Sequence, residues 1–312
     1  MCYKIFVDGR EGTTGLKIIE RLEGRKDVEL LLVSSEMRRD VNERKRLINQ
    51  ADFIFLCLPD DAARESVSLI ENDSVRVIDA STAHRISEDW TYGFPELFNE
   101  QYGHIRNSKR VAVPGCYASG FVALAAPLVR QGLVHPDYPV TSFAISGYSG
   151  GGKATISEYE SPNIPESFYS PRLYALSQWH KHLPEMQKYA GLNHPPVFNP
   201  IIDDYYCGML VNIPLVTRML PSKTSVLEIL DIYKEHYKNR PLVSIASEDK
   251  FLPANGLSGK DCIEIYVNGD PNNERLLLTA RLDNLGKGAS GAAVQCLNVM
   301  MGIDEATGLN IK

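Results

Sequence analysis

Short apolar runs alternate with amphipathic ones over the first eighty residues, and this alternation restricts the fold more than any other feature of the chain. Residues 4–8, 28–34, 52–58 and 75–79 read as buried strands, and residues 14–23, 41–49 and 60–71 carry helical periodicity between them. Helices between successive strands supply the crossovers that parallel pairing requires. The pattern therefore predicts an α/β domain of Rossmann type with a doubly wound parallel sheet.

The pattern then changes. Residues 140–146, 208–214, 262–268 and 276–282 are strand-like, while only 121–131 and 225–237 are clearly helical, which predicts a second, α+β domain around a mostly antiparallel sheet. Residues 289–301 are apolar around most of the circumference and follow Gly286 and Gly288, as in a buried helix that can return to the first domain. The expected division is 1–115 completed by 286–312, with 116–285 as the catalytic and dimerisation domain. A length of 312 residues, 44% of them hydrophobic, is enough for two cores.

A net charge of −6 gives no reason to expect nucleic acid or an anionic membrane as partner. The densest basic run, Arg44-Lys45-Arg46, reads as a solvated face. No apolar run approaches the ~20 residues of a membrane span, and the N-terminus enters a strand without a signal-peptide layout, so a cytoplasmic enzyme is expected. The six cysteines lie far apart without a Cys-x-x-Cys pair, which argues against a disulfide framework or zinc knuckle.

After the first strand comes Gly9-Arg10-Glu11-Gly12-Thr13-Thr14-Gly15, a Gly-x-x-Gly-x-x-Gly variant of the dinucleotide fingerprint opening the first helix. Glycines tighten such a turn and admit a diphosphate to backbone N–H groups at the helix N-terminus, and Thr13 and Thr14 add hydroxyls. An NAD-selective site places an acidic residue at the end of the second strand; here stand Ser34 and Ser35, with Arg38 and Arg39 beyond, a set suited to the 2′-phosphate of NADP.

Cys116 follows a short strand, 111–113, and Pro114-Gly115, and precedes a long helical pattern. That puts its thiol at a helix N-terminus, where a thiolate is stabilised, although a buried structural role is equally open. The other unusual stretch is Trp179-His180-Lys181-His182-Leu183-Pro184-Glu185. One histidine can serve as acid/base to thiol chemistry, with Glu185 orienting it. A His-x-His metal pair is the alternative, but no completing ligands are evident and no metal is expected. The remaining five histidines stand alone and read as surface or core residues.

With Asp79-Ala80-Ser81-Thr82-Ala83-His84-Arg85, residues 92–97 (Tyr-Gly-Phe-Pro-Glu-Leu), Pro114-Gly115-Cys116-Tyr117, the glycine-rich 147–153 and 284–291 (Asn-Leu-Gly-Lys-Gly-Ala-Ser-Gly), the chain resembles the short form of the N-acetyl-γ-glutamyl-phosphate reductase family nearly end to end. The resemblance implies a Rossmann domain, a semialdehyde-dehydrogenase-like α+β domain built for dimer contact, and a homodimer or homotetramer. It implies NADP-dependent reduction of N-acetyl-γ-glutamyl phosphate, with release of phosphate, in arginine biosynthesis. The family's catalytic cysteine falls on Cys116 and its acid/base histidine on His182 or His180, with His182 preferred because Glu185 is spaced to orient it. Arg85, Arg110 and Lys153 are candidate cations for the substrate's phosphate and carboxylate, and Gly288 and Asn284 are expected near the nicotinamide. Aspartate-semialdehyde dehydrogenase, another acyl-phosphate reductase and a non-catalytic NADP-binding redox sensor are the competing readings, with a metal-dependent hydrolase behind them.

Overall fold

The computed structural model describes residues 2–34, 36–247 and 250–311; the Ser35 of the cofactor expectation lies outside them. The chain forms two units: Met1–Pro95, Glu100–Pro114 and Ala289–Leu309 in the first, and Glu96–Asn99, Gly115–Gly288 and Asn310–Lys312 in the second.

In the first unit, β1 (Tyr3–Asp8), α1 (Thr13–Leu22), β2 (Val28–Leu31), α2 (Val41–Gln50), β3 (Phe53–Leu56), α3 (Asp60–Ser68) and β4 (Arg76–Asp79) follow one another as the alternation predicts. The short β5 (Thr91–Tyr92), α4 (Gln101–Asn107) and β6 (Arg110–Ala112) complete it. Among the described residues the sheet runs β2-β1-β3-β4-β6-β5, and every pair in it is parallel. Each strand sends alternate side chains to opposite faces. Ile5, Val7, Phe53, Phe55 and Ile78 pack with helix Gly291–Met301 on one face, and Phe6, Ile54, Leu56 and Val77 pack with Leu47 and Ala63 on the other. The C-terminal segment is thus part of this core.

Not every polar residue here is where the sequence suggested. Arg44 is 7% exposed rather than solvated: it donates to the buried Asp8 at the end of β1 and to Glu65 and Ser66. Strand β2 stops pairing at Leu31, short of residue 34.

The second unit opens with α5 (Cys116–Arg130), followed by β7 (Thr141–Gly147), α6 (Gly152–Tyr159), β8 (Arg172–Leu173), α7 (Leu183–Ala190), β9 (Val197–Asp203) and β10 (Met209–Val216). It continues with α8 (Val226–His236), β11 (Val243–Ile245), β12 (Ile263–Gly269) and β13 (Arg275–Leu282); the closing helix Gly291–Met301 of the first unit is α9. Its sheet runs β11-β12-β13-β10-β7-β9-β8 among the described residues. It is mostly antiparallel, with parallel pairs at β7/β9 and β11/β12. No helix among the described residues is long and apolar enough to cross a membrane.

Candidate active site

The thiol of Cys116 belongs to the first residue of α5, after the N-cap Gly115 and with no acidic residue in the first turn. First-turn N–H groups of a helix have no intrahelical acceptor, so this end of α5 presents donors and partial positive charge beside the sulfur. The helix is buried along most of its length, which fixes its start. Gly288 closes one side: a Cβ built there would lie 2.8 Å from Cys116 Cβ.

Beyond Cys116, the ring of Tyr117 gathers the histidines. Its centroid lies 5.7 Å from that of His180 and 5.9 Å from that of His182, with Phe198 at 5.2 Å, and the two imidazoles are 4.7 Å apart. The Tyr174 hydroxyl donates to the Tyr117 hydroxyl at 2.8 Å. Desolvation pushes both phenols well above their ordinary pKa, so they are neutral donors. His182 is 5% exposed at the start of α7, and its backbone N–H donates to His180 Nδ1 at 3.1 Å. That bond leaves the proton of neutral His180 on Nε2. Glu185 is 1% exposed, and one of its carboxylate oxygens accepts from the N–H of Gly115 at 3.1 Å, tying α7 to the residue before the cysteine.

Burial raises the pKa of the Cys57, Cys207 and Cys262 thiols. Desolvation comes first at Cys57, then the carboxylates of Asp79 and Asp8; desolvation also leads at Cys207 and Cys262. Cys296 is buried and donates to Gly93 O.

The cofactor candidates divide. In the first unit, Gly9 takes φ +88°, and a Cβ there would collide with the Cys57 carbonyl. A Cβ on Gly15 would sit 2.5 Å from Gly9 O. Gly12 is the N-cap of α1, with no side-chain cap and no acid in the first turn; Thr13 and Thr14 lie in that turn. These residues form a backbone cradle that fits a dinucleotide diphosphate. Arg38 ion-pairs with Glu11 in the loop, and Ser34 is exposed just past β2. Asn284 lies in the second unit, where its amide accepts from Gly208 N–H at 2.8 Å and donates to Ser149 Oγ at 2.9 Å, tying two loops together.

The substrate cations are not brought together. The Arg85 guanidinium is buried and donates to the carbonyls of Val113 and Ala80, which holds a loop. Arg110 begins β6 and donates to Val75 O, at the N-terminal ends of the parallel strands, whereas the glycine loop follows the C-terminal end of β1. Lys153 is exposed on α6. Sequence reading also missed the Lys287–Glu96 ion pair, 2.8 Å long with both side chains 0% exposed, and the Asp79–His84 pair. No group of three His, Cys, Asp or Glu among the described residues is placed to hold a metal ion.

Both units match family models of the semialdehyde dehydrogenase class. Residues 4–105 match the family described as semialdehyde dehydrogenase, NAD binding domain, and residues 116–284 match the semialdehyde dehydrogenase, dimerisation domain. A crystal structure of aspartate semialdehyde dehydrogenase II from Vibrio cholerae superimposes with a TM-score of 0.75 at 17% identity, covering 97% of this chain and 99% of that one, which shows a common fold. A curated relative from Trichormus variabilis, N-acetyl-gamma-glutamyl-phosphate reductase, is 45% identical over 98% of this chain and 99% of its own length. N-acetyl-gamma-glutamyl-phosphate reductase 2 from Pseudomonas putida is 44% identical over 97% and 98%. Within its class, the chain belongs to the N-acetyl-gamma-glutamyl-phosphate reductase family.

Proposed function

We propose that the protein carries out NADP-dependent reductive dephosphorylation of N-acetyl-γ-glutamyl phosphate to N-acetylglutamate 5-semialdehyde, in arginine biosynthesis, through a thioester on Cys116. The observation that carries this reading is a cysteine at the first position of α5 with two histidines around the adjacent Tyr117 ring, in a chain whose full-length relatives bear that reductase name.

His182 takes the thiol proton, and the Cys116 sulfur attacks the acyl carbonyl carbon. The C–O bond to phosphate breaks with its electron pair on the leaving oxygen, leaving the thioester. His180, with its proton on Nε2, suits donation to the carbonyl oxygen rather than abstraction. First-turn amides of α5 stabilise the developing oxyanion. NADPH, when held by the glycine loop, would supply the hydride that reduces the thioester. The thiohemiacetal then collapses, expelling Cys116, and the aldehyde is released. Glu185 holds the Gly115 backbone and so positions the sulfur.

For the cofactor, Gly9, Gly12, Thr13, Thr14 and Gly15 would hold the diphosphate, and Ser34 and Arg38 would serve the 2′-phosphate, with Arg38 exchanging Glu11 for it. The protein is cytoplasmic and a homodimer or homotetramer, consistent with the dimerisation family matched by residues 116–284.

Phosphate-dependent NADP reduction tests the reading, with N-acetylglutamate semialdehyde and aspartate semialdehyde offered separately. Turnover of the acetylated aldehyde alone, with Cys116→Ser below about 1% of it, is expected. Aspartyl turnover alone would transfer the chemistry to the other substrate, and a Cys116→Ser variant retaining more than a few per cent would refute the thioester.

A further inference from the structure

At the end of β4, Asp79 is 0% exposed, and its carboxylate accepts from Ser81 N–H, from Ser81 Oγ and from His84 Nδ1, each within 2.8 Å. The His84 ring stacks on Trp90 at 4.1 Å between centroids and 10° between planes. Thr82 spends its N–H and hydroxyl on Asp60 at the start of α3, and Arg85 holds Val113 O and Ala80 O. The loop is therefore rigid, with its polar groups turned to its own support. Nε2 of His84 is the exception: it has no hydrogen-bond partner among the described residues, and the side chain is 12% exposed.

A serine, a histidine and an aspartate this close invite comparison with a nucleophile relay. The bonds exclude it, because Ser81 Oγ and His84 Nδ1 both meet Asp79 Oδ2 and the imidazole does not bond the serine. What remains is a histidine whose Nδ1 faces a buried carboxylate. In the neutral imidazole with its proton on Nδ1, the other nitrogen is an acceptor on the far side of the ring.

Strand order places the ligand crevice of this sheet. The first unit's sheet reads β2-β1-β3-β4, so the order reverses between β1 and β3, and ligands of such sheets lie across the strand C-termini at that reversal. With the diphosphate on the glycine loop after β1 and the 2′-phosphate beyond β2, the other nucleotide extends over β3 and β4. At about 4.8 Å per strand, the β4 end is about 10 Å from that of β1, one nucleotide away. We infer that His84 binds the nicotinamide riboside half of the dinucleotide, its Nε2 accepting from a ribose hydroxyl or from the carboxamide N–H. An acceptor suits those donors and does not suit a phosphate oxygen. The inference rests on the NADP reading above.

The test separates the two halves of the cofactor. His84→Asn keeps an N–H for Asp79 and loses the distal acceptor. Titrations of this variant with NADPH and with 2′,5′-ADP, which lacks the nicotinamide half, should show NADPH weakened about three- to tenfold and 2′,5′-ADP within twofold of wild type. Equal weakening of both ligands, or of neither, overturns the assignment. In unmodified protein carrying 15N-histidine, NADPH should move the His84 Nε2 resonance and 2′,5′-ADP should not; an unmoved resonance also overturns it. Wild-type protein that binds neither ligand would instead sink the NADP reading.

Discussion

Gly288 has no room for a side chain, because a Cβ there would meet Cys116 Cβ at 2.8 Å and Asp283 O at 3.0 Å. Neither neighbour yields cheaply: one starts a buried helix, and the other is backbone. Gly288→Ala should therefore displace the thiol more than it unsettles the fold. Iodoacetamide labelling of Cys116 and turnover should both fall by about tenfold or more, with a stability loss of about 1–3 kcal/mol. Labelling at the wild-type rate would show that the wall is elastic. Residues of this kind divide by how local their signal is. The place of Cys116 at a helix start was legible because strand, Pro-Gly and helix follow one another in the chain, and the place of the glycine loop ahead of α1 was legible for the same reason. The Glu185 contact with Gly115 spans 70 residues, so spacing within the His-x-His-x-x-Glu segment suggested only the neighbouring histidine. His84 stands alone in the sequence because its tie to Asp79 forms only when the loop after β4 curls back.

At the scale of elements, the turn that carries Gly288 is pinned from two sides. Asp283 Oδ1 accepts from Leu285 N–H at 2.7 Å, and its carbonyl accepts from Gly288 N–H at 2.9 Å. Lys287 projects into the interior and meets both Glu96 oxygens, at 2.8 and 3.0 Å. Two fully buried charges cost much to desolvate and are tolerated together; either one alone is not. Lys287→Met should cost about 3–5 kcal/mol in denaturant unfolding of the whole chain, and Lys287→Met with Glu96→Met distinctly less. Additive losses in that double-mutant cycle would show that the pair is not coupled. Such an ion pair, 191 residues apart in sequence, leaves no mark in periodicity. The regular elements did leave one: β1 to β4 and α1 to α3 appear in the predicted order because buried faces impose periods of 2 and 3.6. Strand β9 escaped because Asn199 and Pro200 interrupt its apolar run, although Pro200 O still accepts from Tyr174 N–H. With β8 only two residues long, no periodicity exists to read.

The molecule as a whole has a first unit that its N-terminal residues cannot complete. Ala293, Val294, Cys296, Leu297 and Val299 of α9 are 0% exposed and pack with Ile5, Phe53 and Ile78 from strands more than 200 residues earlier. Polar ties reinforce the seam: Arg76 donates to Met300 O at 2.6 Å, and Arg25 donates to Asn298 Oδ1 at 2.8 Å. A helix that fills the core of a parallel sheet must open when that sheet opens. In native-state hydrogen exchange, the slowest amides of α9 should therefore share their opening free energy and denaturant dependence with those of β1 and β3. Exchange of α9 at markedly lower free energy, as in a frayed terminal helix, would mean that the sheet holds without it. If the shared value is observed, the first unit cannot reach its native stability until the chain has been made through residue 301, so synthesis order and folding order differ. The sheet that begins the sequence would then be finished last.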